Sequence, residues 1–577
     1  MIDLDNLSPK NTERFNENIP LVSLKYNKII SDISDYYPHD LSWQLSSIIS
    51  RHPSLTKIHR RCCQLFFLKN FILKKNDPVF IKSNDKILSR IINNYFKENK
   101  YNSKSIFEQK MFDRLMEKLR PIKSTVLILS NVFSEYLFSR FTRFFFFKIK
   151  IYPKSISLID TFVIPSSFNS NNSTYSDRYY TGALSSLNSD DRDIFFYLPT
   201  FVGLNILQYL KYFLKIRNQS DNFILKEDYL HLRDYISAFL EMLKLRGKAK
   251  KIFGAPIFFE GFEISKYLLY DIKNSFINEQ TYRGLLNYKF VSRLKDSNLD
   301  IFSLIDWNEN QVGDRGLVKG FHDHLPQVKT MGYQGFIVDY DYHVYLKPTE
   351  NEFDKGFVPH VYHVIGNGLI HTIKEYCQKL TINVAPAFRY QHVWNYENQK
   401  KVSRNVVISL PIENKIAFKM MKFVNEGIQG NNINFQLFIK PHPLHNSSKI
   451  KKYWDKHKNQ DDLKIDILNQ SFEHVLSTTD VLISSYSSTS IESLICGIPT
   501  IILKGFDIFD HNPIPNDIDE EFLFYSNEPR LLYDIIQKFL NYDYHKRMEF
   551  QKNGEKIRSK YFHHCDLSST YKFLGLS

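Results

Sequence analysis

Four short apolar runs between residues 405 and 503 restrict the fold of this chain more than any other feature. They are Asn405-Val-Val-Ile-Ser-Leu410, Phe435 to Ile439, Val481 to Ser484 and Thr500 to Leu503. Helical patterns at Ile416 to Glu426, Ser471 to Ser477 and Thr489 to Cys496 fill the gaps, and Arg530 to Leu540 closes the series. A strand covered on both faces reads as a continuous apolar run. Such runs alternating with helices predict a doubly wound parallel sheet.

The first half carries a looser version of the same alternation. Strands are expected at Thr125 to Ser130, Ser157 to Ile164 and Asp193 to Leu198, with weaker signals at Ile301 to Ile305 and Val361 to Ile365. Helices are expected at Val202 to Ile216 and from Lys226 to about Lys250, the latter as an insertion. The Ser/Asn-rich stretch Ser166 to Ser189 reads as a loop, and Trp394 to Arg404 as an interdomain linker. Before residue 119 the pattern is helical with little strand character, notably over Leu41 to Ile72. At 577 residues the chain exceeds what one core usually serves. The expected division is a helical N-terminal extension over 1–118, an α/β domain over 119–395, and a second α/β domain with C-terminal helices over 396–577. The fold class is α/β: two Rossmann-like domains facing a cleft.

Charge and cysteines narrow the function classes. Lys and Arg number 76 against 62 Asp and Glu, a net charge of +14. That balance suits nucleic acid, anionic lipid, or a phosphorylated or acidic sugar. No zinc-finger spacing, RNP-like stretch or Arg-rich arm accompanies it, so nucleic acid is not an expected partner. The five cysteines include the vicinal pair Cys62 and Cys63, which argues for a reducing compartment. The polar N-terminus has no apolar signal core, and no window approaches 18 uninterrupted apolar residues. A cytoplasmic location follows as the expectation, with the inner face of the cell membrane as its extension. Phe144 to Phe147, flanked by Arg143 and Lys148, is the candidate for peripheral membrane contact, although four successive Phe are more often a buried segment.

Two motifs carry the chemistry. Phe438-Ile-Lys-Pro-His-Pro443 ends an apolar strand in Lys440 and a rigid turn around His442. Asp480-Val-Leu-Ile-Ser-Ser-Tyr-Ser-Ser-Thr-Ser-Ile-Glu492 runs a strand into hydroxyls and then a helix, closed by Gly497-Ile-Pro499. Ser487, Ser488 and Thr489 can cap that helix or donate to phosphate oxygens, and Glu492 can accept from ribose hydroxyls. Each motif alone is more often structural. Both follow strands of one parallel sheet, so they open onto one edge, where ligands bind.

With those residues in hand, the segment from about 400 to 505 resembles the donor-binding half of bacterial surface-polysaccharide transferases of the two-Rossmann (GT-B) kind. These include capsule and lipopolysaccharide Kdo transferases, sialyl- and polysialyltransferases, and CDP-glycerol glycerophosphotransferases. The resemblance implies a nucleotide-activated sugar donor, CMP- or CDP-type favoured, held by Lys440, His442, Ser485, Ser487, Ser488, Thr489 and Glu492. It also implies a glycan or glycolipid acceptor. Asp306-Trp-Asn-Glu-Asn-Gln311 and Met331-Gly-Tyr-Gln-Gly335 look like the acceptor-side cleft of capsule-type enzymes. On that likeness Trp307, Gln311, His322, Asp323, Tyr333 and Gln334 line the cleft, and Glu309 is the catalytic carboxylate beside His442. Asp314 and Asp323 stand next in line. His322-Asp-His324 is too sparse for a metal site, and Asp339-Tyr-Asp341 matches a common acidic pattern, so neither a metal nor another cofactor is expected. The rival readings are a glycerophosphotransferase, a UDP-sugar 2-epimerase, and a non-catalytic scaffold of polysaccharide assembly.

Overall fold

The computed structural model describes the chain except residues 74–76, 109–110, 146–152, 166, 169–174, 220–221, 397–402, 459–464 and 577; for 111–122 and 133 it describes the backbone alone. The N-terminal part, expected to be nearly all helix, contains a small parallel sheet of β1 (Ile2–Asp3), β2 (Phe80–Ser83) and β3 (Lys104–Phe107). Its strands have two to four residues, too short to register as a periodic pattern.

The first large sheet uses β4 (Ile156–Val163) and β5 (Phe195–Phe201). A hairpin of β6 (Phe258–Phe259) and β7 (Phe262–Glu263) lies outside it. The sheet is completed by β8 (Ile301–Trp307), β9 (Lys329–Gln334), β10 (Val361–Val364) and β11 (Ile382–Val384). Its order is β11-β10-β9-β8-β4-β5, parallel throughout. The second large sheet uses β12 (Asn405–Ser409), β13 (Gln436–Lys440), β14 (Ile465–Ile467), β15 (Val481–Ser484), β16 (Thr500–Leu503) and β17 (Leu523–Ser526). Its order is β14-β13-β12-β15-β16-β17, again parallel. The two-Rossmann (GT-B) arrangement expected from the sequence is therefore the observed one.

Three sequence expectations change. Thr125 to Ser130 is not a strand: it lies within the 35-residue helix Met111–Phe145. A six-residue apolar run cannot by itself separate strand from helix. Phe144 and Phe145 are not a buried segment but stand at its end 82% and 61% exposed; Phe146, Phe147 and Lys148 lie outside the described residues. Residues 397–402 of the expected linker and residues 166 and 169–174 of the Ser/Asn-rich loop also lie outside them. Finally, the C-terminal helices return to the first domain. His563 pairs with Pro386 as an isolated bridge, Phe573 packs 5.1 Å from Tyr333, and the Tyr571 hydroxyl donates to Asp191 at 2.9 Å. Among the described residues no helix is long and apolar enough to cross a membrane.

Candidate active site between the two sheets

In each large sheet the chain builds one half, then returns to the middle and builds outward the other way. That creates a switch point between β4 and β8 in the first sheet and between β12 and β15 in the second. A crevice opens beyond the carboxyl ends of the strands at such a point. Both crevices here are cavities.

The cavity of about 380 Å³ lies between the domains. The second domain supplies Pro411 to Glu413 from the end of β12, and Tyr486 and Ser488 from the end of β15. The first supplies Phe336 to Asp339 beyond β9, with Arg389 and Tyr390. The other cavity, of about 620 Å³, lies within the first domain. Asp160 and Phe162 of β4 and the residues after β8 border it. Glu309 borders both cavities.

The local backbone explains why Glu309 alone of its run borders both. The Asn308 amide donates to Asp306 at 2.7 Å and the Asn310 amide to the Tyr345 carbonyl at 2.7 Å, both buried. Asn310 takes φ +48°, a left-handed turn that Asn tolerates better than most residues. The Glu309 carboxylate accepts from Trp307 Nε1 at 2.9 Å and from Gln311 Nε2. Burial raises its pKa, while those two donors and Arg389 pull it back.

Across the cleft, the register pairs Ser409 of β12 with Lys440 of β13, and Ile408 with Ile483 of β15. The two sequence motifs thus open on one sheet edge with β12 between them. The Leu444 amide donates to His442 Nδ1 at 3.2 Å, which leaves the proton of a neutral ring on Nε2. Burial first, then His445, Arg178, Lys440 and Arg389, push the His442 pKa down to about 4. At neutral pH this imidazole is an uncharged donor.

The hydroxyl cluster divides into two groups. Ser485 is fully buried and donates to the Leu503 carbonyl at 2.8 Å, so it braces β16. Thr489 Oγ1 lies 3.0 Å from both Ser409 Oγ and Ser487 Oγ, donating to one and accepting from the other, which ties the motif to β12. Ser488 faces the cleft cavity. Tyr486, between these groups, is held at φ +56°, a strained conformation of the kind found at binding sites. Glu492 Oε2 lies 3.0 Å from His392 Nε2 of the first domain, an interdomain contact rather than an open acceptor. The helix Thr489–Ile495 has seven residues, fewer than two full turns, so its dipole adds little to an anion site there.

Several expected cleft residues lie elsewhere. Trp307 is fully buried against Tyr179 at 4.6 Å and Tyr333 at 5.5 Å, so it offers no face to a sugar. Tyr333 and Gln334 are also fully buried; the Tyr333 hydroxyl donates to the Pro386 carbonyl at 2.7 Å. His322 stacks on His360 at 4.3 Å beside Thr330, at the amino end of the sheet, the wrong side for the cleft. Asp323, next to it, pairs with Lys319 at 2.7 Å. Gln311 and Asp314 do border the first-domain cavity. Asp339 accepts from the amides of Asp341, Tyr342 and Asn512, and burial raises its pKa to about 6. Among the described residues no group of three His, Cys, Asp or Glu could hold a metal ion.

Sequence reading missed Arg178 and Arg389. Arg178 sits in the expected Ser/Asn-rich loop, pinned because Asp177 accepts from the Tyr179 and Tyr180 amides and from the Thr161 hydroxyl. Arg389 lies in the short helix Phe388–Trp394 and borders the cleft cavity. Both perturb His442, so four basic side chains from two domains meet here. No local pattern announces either arginine; the meeting is tertiary.

No family model matches the chain, and no curated protein sequence matches it. Solved structures with a similar arrangement include a mutant of Staphylococcus aureus TarM in complex with fondaparinux, alpha-GlcNAc-glycerol and UDP. It is 12% identical, with 74% of this chain and 99% of that one covered and a TM-score of 0.41. The S. aureus MnaA–UDP structure is 10% identical over 73% and 98% of the two chains, TM-score 0.40. Anabaena Alr3699/HepE in complex with UDP and glucose is 9% identical over 73% and 98%, TM-score 0.38.

Proposed function

We propose that this chain is a glycosyltransferase that moves a sugar from a nucleotide-activated donor, CMP- or CDP-type favoured, to a hydroxyl of a surface-polysaccharide or lipopolysaccharide acceptor. The observation that carries the reading is the pair of facing switch-point cavities with Glu309 bordering both. The donor nucleotide takes the cleft cavity, with its phosphates toward Ser488, Arg389, Lys440 and the Nε2–H of His442. As the acceptor oxygen bonds to the anomeric carbon, the bond from that carbon to the phosphate oxygen breaks. The cationic cluster and neutral His442 stabilise the charge that develops on the leaving phosphate. Glu309 takes the acceptor's proton; burial raises its pKa and so makes the carboxylate a stronger base. The exposed apolar residues Phe141, Phe144 and Phe145, with Arg143, support peripheral contact with an anionic membrane.

The test is a screen of the full chain against CMP-, CDP-, UDP- and GDP-activated donors with glycan acceptors. One donor class is expected to be turned over, and Glu309→Gln is expected to abolish transfer while leaving donor binding nearly intact. A well-folded chain that turns over none of the donors is a scaffold. One that converts a UDP-sugar without any acceptor is an epimerase. Glu309→Gln transferring at the parent rate moves the catalytic carboxylate to Asp314.

A further inference from the structure

The first-domain cavity is acidic, in a chain whose net charge is +14. Among the described residues six carboxyl groups border it: Glu135, Asp160, Glu227, Glu279, Glu309 and Asp314. Its cations are Lys226 and Arg283, and both are already paired. Lys226 lies 3.2 Å from Asp160, and Arg283 lies 2.8 Å from both Glu135 and Glu279. His52 also borders it, but burial pushes its pKa down to about 4, so it is uncharged at neutral pH.

Two polar atoms in the lining have no partner among the described residues. Glu227 is 8% exposed and its Oε2 has no hydrogen bond; Tyr235 is 4% exposed and neither does its hydroxyl. Buried polar atoms are almost always satisfied, so an orphaned pair facing one cavity points to an absent ligand. Burial, then the nearby Glu135, raises the Glu227 pKa to about 7, which lets that group donate or accept. At about 620 Å³ the space falls within the ~300–1,000 Å³ range of small-molecule sites.

We infer that this cavity binds the ring of a hydroxyl-rich ligand that carries no negative charge, a neutral hexose or a hexosamine with its amine protonated. Hydroxyl and ammonium hydrogens satisfy Glu227 and the remaining acceptors, and the Tyr235 hydroxyl donates to a ring oxygen. An acidic sugar would bring its own carboxylate into a lining of six carboxyl groups whose two cations are already taken, an arrangement that disfavours it. The chain's basic surface would therefore attract an acidic polymer that this pocket refuses. The inference rests on the transfer reading, which makes this the acceptor's cavity, and it fixes that acceptor's charge class.

Calorimetry or saturation-transfer NMR on the full chain with glucose, glucosamine and glucuronate tests it, with CMP, CDP, UDP and GDP titrated into the same samples. Glucose and glucosamine are expected to bind, with glucuronate at least about tenfold weaker. Tyr235→Phe keeps the ring and is expected to weaken glucosamine binding about fivefold to tenfold, the scale of one lost hydrogen bond. Glu227→Gln, checked for an unchanged melting temperature, is expected to do the same while leaving nucleotide binding intact. Glucuronate binding as tightly as glucosamine overturns the inference, and so does failure of all three sugars to bind. A chain that binds glucosamine but no nucleotide keeps this inference and sinks the transfer reading.

Discussion

His442 gains its meaning from its neighbours rather than from its motif. A histidine between two prolines in a turn is ordinary, and the sequence supports a phosphate role only through its pairing with the hydroxyl cluster. The structure adds a fixed tautomer and a reason for neutrality, since burial and four basic neighbours hold the ring near pKa 4. His442→Ala is expected to weaken donor-nucleotide binding and to slow transfer roughly a hundredfold, the scale of removing one oxyanion-type donor. The sign of the pH effect follows from the depressed pKa. The neutral donor persists from alkaline pH down through 6.5 and is converted only as pH falls toward 4. Nucleotide affinity should therefore pass through pH 6.5 without a His442-dependent inflection. An inflection there, present in the parent and missing from His442→Ala, would contradict this assignment.

At the scale of elements, the second sheet was legible because β12, β15 and β16 lie buried on both faces and carry continuous apolar runs, and β13, half-exposed, still keeps Leu437, Phe438 and Ile439 together. β12, β13, β15 and β16 fall within a residue of the predicted spans. β14 and β17, at the sheet's two edges, have half-exposed residues and gave no such signal. The helix Met111–Phe145 failed for the opposite reason: its apolar residues run on without a clean period, and part of that face stays exposed. The glycine after the hydroxyl-cluster helix was read correctly as its stop. Gly497 takes φ +70°, and a Cβ there would stand 2.5 Å from Gln551 Cα in the helix Tyr544–Tyr561. Gly497→Ala therefore meets a left-handed backbone and a backbone clash together, a cost of about 2–4 kcal/mol. Thermal melting checks this: the variant should lose several degrees, and an unchanged transition would mean that the two helices can separate freely.

The whole molecule brings together what neither domain holds alone. The loop beyond β16 is clasped from the other side: Asp507 pairs with Arg60 at 3.0 Å, and the Asp510 and Asn512 amides donate to Asn16 and Asp339 at 2.9 Å. His392 and Glu492 add a further contact across the cleft. Beside these attractions stands an opposing one, because Arg178 and Arg389 of the first domain face Lys440 and His442 of the second. Burial and then mutual repulsion lower the pKa values of Lys440 and Arg178. An anion seated among them converts that repulsion into attraction, so the diphosphate of a donor should draw the domains together without a metal ion. At a hundredfold excess over its dissociation constant such a ligand stabilises the folded chain by about 2.7 kcal/mol. The melting temperature is therefore expected to rise with CDP or pyrophosphate in EDTA, and to rise less at high salt, which screens partly exposed charges beyond about 8 Å at physiological strength. The double variant Arg178→Ala, Arg389→Ala should lose most of the increase while keeping its melting temperature without ligand. An equal increase in that variant would remove the arginines from the site. Stabilisation that vanishes in EDTA and returns with Mg²⁺ or Mn²⁺ would instead make the diphosphate's partner a metal, with Asp339 and Asp341 as its first candidate ligands.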